Sequence, residues 1–282
     1  MIFDIGAEVT FELIFLVIAS FGLSKINVRL TCLSYVVSFV YLVDLVITLL
    51  GIKNFYFDLP YEKLILLTGT MHVIEGVMAY FYGYVDNTCV VNYKDNQILG
   101  GYKSYRRWYI PLFLFKVKGI YLPLLCVMAY CDETYTMIPK KKTHRNAIMV
   151  AIYGLVVIYM GILVLSQRML IVIAMTIMPL AHELLFIIDE YLEKEPYMYS
   201  IPKKGVRIIE VSSKQESVNK IERGDIMLRV NGKNILNEDS YYRAIDDKKL
   251  VMILRDISGN KKILYFDKKS YEELEVVILP SI

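Results

Sequence analysis

Six apolar runs leave this chain few ways to fold. They lie near Gly6–Leu23, Val28–Leu50, Lys63–Gly83, Tyr109–Cys131, Asn146–Ser166 and Met169–Ile188. Each approaches the roughly 20 residues that a helix needs to cross a hydrocarbon core. Lipid offers backbone groups no hydrogen-bond partner, so runs of this length are expected as transmembrane helices. The connections Ser24–Asn27 and Gln167-Arg168 are short, which makes the helices they join antiparallel. Trp108 and Tyr109 suit an interfacial belt at the start of the fourth run. With 56% hydrophobic residues in 282, the chain is too apolar for a soluble protein of this size. The expected fold is therefore an α-helical membrane bundle of about six transmembrane helices over residues 1–195. The first run does not resemble a cleavable signal, because Lys25 follows it while Asp4 and Glu8 precede its centre. It is expected to stay as an anchor.

Composition changes at about residue 200. Residues 1–200 hold 16 basic and 16 acidic groups, whereas residues 201–282 hold 16 and 13, so all of the net +3 lies in the tail. That surplus is too small to imply nucleic acid. The tail carries a short apolar strand at Gly205–Val211 and two turn pairs, Gly224-Asp225 and Asn231-Gly232, in which Gly supplies φ > 0. A helix start follows, with Asp239 or Ser240 as N-cap. Strands at Lys249–Arg255 and Lys262–Phe266 then flank a Ser258-Gly259-Asn260 turn. This order resembles a bacterial PDZ domain, a small α+β fold, over residues 200–282. The resemblance implies a peptide groove between Gly205, Val206, Arg207 and Ile208 and the helix bearing Tyr241, Tyr242 and Ile245. In such a groove an extended peptide adds a strand, and pockets give selectivity. One of the two tyrosines is expected in the core and the other in water. The linker stops the last helix at Pro196 and holds the domain close to the bilayer.

An even number of crossings places both termini on one side. Short-loop and juxtamembrane Lys and Arg number nine on that side and seven on the other, which favours cytoplasmic termini. The Lys140–Lys142 cluster adds to that bias. Between the third and fourth runs, Thr88–Lys94 and Gln97–Tyr102 form a hairpin pattern about Asp95-Asn96. A two-stranded hairpin is marginal alone, so it is expected to rest on the bundle or the interface.

Ionisable groups inside membrane runs are functional suspects. His72 and Glu75 share a face of the third run at i and i+3, Lys116 lies in the fourth, and His182-Glu183 lies in the sixth. A metal site built from His72, Glu75, His182 and Glu183 would suit an intramembrane metalloprotease. The His-Glu-x-x-His pattern that places two imidazoles on one helix face is incomplete here, because Leu184-Leu185-Phe186 follows His182-Glu183. The expectation is an intramembrane polar network of His72, Glu75, His182, Glu183 and Lys116, in which these groups bind one another across helices. Cys32, Cys89, Cys126 and Cys131 have no metal-ligand spacing and are expected as structural thiols. No catalytic residue, metal or other cofactor is expected.

Several short motifs carry a wider resemblance: Thr70-Met-His-Val-Ile-Glu-Gly76, Gly100-Gly-Tyr102, Arg107-Trp-Tyr-Ile-Pro111, Pro179-Leu-Ala-His-Glu183 and the C-terminal domain. Together, over about residues 60–265, they resemble the six-helix, PDZ-bearing membrane proteins of Firmicutes related to MinJ. That family implies a non-enzymatic scaffold of the bacterial cell membrane, with a cytosolic PDZ domain recruiting a protein or peptide partner in cell-division site placement. The abundance of Ile, Lys, Tyr and Asn agrees with an AT-rich bacterial genome. Homo-oligomerisation stays open. The alternative is a metalloprotease-like protein, or a protease accessory, that uses the domain to read substrates.

Overall fold

The computed structural model describes residues 7–8, 11–52, 59–94, 96–117, 120–194, 196–212, 220–267 and 274–280, with side chains at all of these except 7–8, 11–13, 112–117 and 121–125. The chain forms β1 (Ala7–Glu8), α1 (Phe11–Ser24), α2 (Leu33–Leu49), α3 (Tyr61–Tyr82), β2 (Thr88–Lys94), β3 (Gln97–Val117), β4 (Ile120–Thr134), α4 (Pro139–Ser166) and α5 (Ile171–Leu192). There follow β5 (Val206–Val211), β6 (Ile226–Val230), β7 (Lys233–Asn234), α6 (Glu238–Ala244), β8 (Lys249–Arg255), β9 (Lys261–Asp267) and β10 (Val276–Ile278). Two compact units interleave along this order. One comprises Met1–Tyr84, Tyr105–Tyr130 and Thr143–Leu192; the other comprises Val85–Ser104, Cys131–Lys142 and Glu193–Ile282.

The expected six-helix membrane bundle is not formed. Among the described residues, three helical stretches are long and apolar enough to cross a membrane: Tyr61–Tyr82, Pro139–Ser166 and Arg168–Leu192. The first two runs are helical but short. The longer, α2, has 17 residues, which at 1.5 Å per residue gives about 26 Å against a core of about 30 Å. Among the described residues, the fourth run forms no helix. Tyr109–Cys131 falls on β3 and β4, which pair with each other. Pro111 and Pro123 each lack the N–H that a helix interior needs, and Tyr, Phe, Ile and Val between them favour an extended pleated backbone.

The helical unit packs α1, α2, α3, α4 and α5 around Val36, Val37, Ile65, Val157, Met175 and Met178. Small residues set the crossing of α3 and α4. A Cβ on Gly154 would lie 2.7 Å from the Gly69 carbonyl oxygen and 2.7 Å from the Val73 nitrogen, and one on Gly76 would lie 2.7 Å from the Ala147 carbonyl oxygen. Such close backbone approach is how apolar helices associate where no hydrophobic effect separates them from lipid. Trp108 and Met128, from β3 and β4, join Leu67 and Met71 of α3 in a smaller cluster.

The second unit contains a sheet in the order β10-β5-β6-β8-β9, with β7 beside β6. Its core holds Ile208, Ile221, Met227, Val230, Tyr241, Met252 and Leu254. Asn231 (φ 50°) and Gly232 (φ 81°) turn β6 into β7, both in the left-handed region that a tight hairpin requires. Asn237, rather than Asp239 or Ser240, caps α6: its side chain accepts from the Ser240 N–H at 3.0 Å, while Ser240 Oγ accepts from the Asn237 N–H. The hairpin β2–β3 pairs Thr88 with Lys103 through Lys94 with Gln97. Its base docks on this sheet unit: Gly100 N–H donates to Tyr199 O at 2.9 Å, and the buried Tyr102 hydroxyl donates to Ile209 O.

Candidate functional site

In the helical unit, three elements bring together side chains that are far apart in sequence. Cys32 caps the start of α2, His72 sits mid-way along α3, and His182 lies in α5. Cys32 Sγ is 3.2 Å from His72 Nε2 and 3.6 Å from His182 Nε2, and the imidazole centroids are 5.1 Å apart. Both histidines are buried and Cys32 is half-buried.

The hydrogen bonds fix which nitrogen carries the proton in each neutral ring. His72 Nδ1 lies 2.7 Å from the Thr68 carbonyl oxygen, which can only accept, so that nitrogen carries the proton and Nε2 keeps a lone pair. Tyr35 donates its hydroxyl proton to Glu183 Oε2 at 2.7 Å, so the phenol oxygen can take a proton from His182 Nδ1 at 3.1 Å. His182 Nε2 is then also a lone pair. Tyr153 stacks edge-on against both rings, at 4.9 and 5.3 Å, and is itself held by Ser34 at 2.7 Å and the Met178 carbonyl at 2.9 Å. Two imidazole lone pairs and one sulfur therefore converge. This set can hold a transition-metal cation.

The expected polar network is thus partly assembled. His72 meets His182, and Glu183 serves as acceptor for Tyr35 rather than facing the sulfur. Glu75 lies one turn beyond His72 on α3 and is half-buried. The Lys116 side chain lies outside the described residues; its backbone pairs with Glu8 in β1. Cys32 was missed as a member because no local spacing marks it: it stands 40 and 150 residues from its partners.

In the sheet unit, the expected groove residues are mostly core. Val206, Ile208 and Tyr241 are buried, Ile245 packs on the same cluster, and Tyr242 is exposed. Gly205 takes φ 88°, which its missing Cβ permits. Arg207 donates to the carbonyls of Ser200 at 2.7 Å and Gly224 at 3.0 Å. Both edges of β5 are already paired, with β6 on one side and the chain's own β10 on the other; Leu279 N–H reaches Arg207 O at 2.8 Å. β9 ends the sheet and, among the described residues, pairs only with β8. On the outward face of that pair, Val251 stands opposite Tyr265 and Ile253 opposite Ile263. Tyr265 is 77% exposed and Ile263 57%.

Asp225, in the Gly-Asp turn, is buried and accepts from Lys262 Nζ at 2.6 Å and from the Glu222 N–H at 2.8 Å. Burial pushes its carboxyl above the ordinary value, against the opposing pull of Lys262. Lys262→Met is expected to raise it further. The native state then binds more protons than the unfolded chain, so stability falls as pH climbs from about 4 toward neutrality. The expected loss at pH 7 is about 2–3 kcal/mol, below the range for a fully buried pair because Lys262 keeps a quarter of its side chain in water. Denaturant unfolding at pH 5 and pH 7 checks this: a loss equal at both contradicts it.

No protein-family profile, curated protein or solved structure matches this chain.

Proposed function

We propose that the chain is a membrane-anchored adaptor whose C-terminal, PDZ-like domain binds a protein segment. The observation that supports this most is the apolar cross-strand set Val251, Ile253, Ile263 and Tyr265 on the sheet's terminal strand pair. An exposed edge strand with apolar neighbours is an aggregation hazard unless something covers it, and an extended segment of another protein does so by strand addition. On this reading the strand-addition site moves from β5, whose edges are taken, to β9. α4 and α5, joined at Gln167, form the hairpin that anchors the domain in a bacterial cell membrane, with the domain on the cytoplasmic side. Division-site placement is the role that the likeness to MinJ-related proteins implies.

The test uses the full chain in detergent. Ile263→Lys with Tyr265→Lys changes only exposed positions, so the melting temperature is expected to hold. A cellular protein that co-purifies with the wild type and is lost from the double variant supports the adaptor reading. Retention of every co-purifying protein by the variant sinks it. The convergence of His72 and His182 favours a second reading, a metal-dependent membrane protein that reads substrates through the same domain.

A further inference from the structure

The geometry points to a single transition-metal site, of the Zn²⁺ type, built from the Cys32 thiolate and the Nε2 atoms of His72 and His182. It rests on the helical unit alone and stands whether or not the sheet unit docks a partner. The three ligand atoms all lie within 4.8 Å of one another. Bonds of about 2.3 Å to sulfur and 2.0 Å to nitrogen, at a tetrahedral angle, place sulfur and nitrogen about 3.5 Å apart. The 3.2 and 3.6 Å separations straddle that value.

Proton placement supplies the second argument. A neutral thiol has one proton and can satisfy one neutral imidazole, whereas here two Nε2 atoms converge on the same sulfur. A cation satisfies all three atoms at once. The outer groups are those that metal-binding histidines use: a backbone carbonyl on His72 Nδ1, and on His182 Nδ1 a phenol oxygen polarised by a carboxylate. A thiolate with two imidazoles selects a borderline-to-soft ion over Mg²⁺ or Ca²⁺. Three protein ligands leave a fourth coordination position open.

The test is metal analysis of the full-length protein, purified without chelator in detergent and equilibrated with Zn²⁺ alone. The wild type is expected to hold about one zinc per chain. His144→Ala is expected to keep it, since His144 instead stacks on Tyr80 at 4.2 Å. Cys32→Ala and His72→Ala are expected to lose it, and Tyr35→Phe to weaken binding by about 10–100-fold. Substoichiometric zinc in the wild type, or full zinc in Cys32→Ala, overturns the site. Should the alanine variants fail to fold, Co²⁺ added to stripped wild type decides: a thiolate-to-cobalt charge-transfer band supports the assignment, and its absence overturns it.

Discussion

Lys142→Met is expected to cost the chain about 3–5 kcal/mol, the range found when one partner of a buried ion pair is removed. The Lys142 side chain is only 3% exposed, and its ammonium lies 2.9 Å from Asp132 and 3.4 Å from Glu193 while also donating to the Glu133 carbonyl. Glu193 is fixed in turn by Thr136 Oγ1 and the Tyr135 N–H, each at 3.0 Å. Methionine fills the volume but takes the ammonium away from both carboxylates in a poorly solvated site. The neighbouring Lys141 is exposed, so Lys141→Met serves as control and is expected to stay within about 0.5 kcal/mol of the parent. Denaturant unfolding of the full chain in detergent compares the two. Equal behaviour would show that Lys142 is solvated rather than paired.

Gly154→Leu is expected to be as damaging within the helical unit. The new Cβ meets the backbone of Gly69 and Val73, which cannot rotate aside as a side chain would. Overpacking costs about 1–3 kcal/mol where neighbours can yield, and the upper end is expected here. His72 lies between Gly69 and Gly76 on the displaced helix, so zinc retention should fall together with stability. Gly22→Ala is the matched control, because nothing lies within 4 Å of the position its Cβ would take. It is expected to be neutral or stabilising by up to about 1 kcal/mol. A thermal scan in which Gly154→Leu melts with the parent would show that α3 and α4 are not in backbone contact.

What could be seen in the sequence was local. The turn pair Asn231-Gly232 and the strands about Ser258-Gly259-Asn260 follow from residue types a few positions apart, and β8 and β9 pair Lys249 with Asp267 through Arg255 with Lys261. The run at Tyr109–Cys131 reads as a helix because mean hydropathy weighs Phe and Ile alike in strand and helix. Two prolines, Pro111 and Pro123, with aromatic and β-branched residues between them favour strands, whereas α5 accommodates the single Pro179. Long-range assembly was not legible. Nothing near Tyr102 predicts that its hydroxyl reaches Ile209, 107 residues on. Cys32 carries no spacing to either histidine, and what joins them is the packing of α2, α3 and α5. The pairing of β5 with β10 was hidden for the same reason: strand order in a sheet is set by the whole core.

The central claim is that the α4–α5 hairpin holds a protein-binding domain at the cytoplasmic face of a membrane. Membrane-impermeant maleimide labelling tests it most directly. Met169, at the connection between α4 and α5, is 91% exposed, and Tyr265, 77% exposed, marks the strand proposed to dock a partner. In intact cells the Met169→Cys chain is expected to label above the parent background, and the Tyr265→Cys chain only after lysis. Labelling of both from outside, or of Tyr265→Cys alone, would contradict the claim.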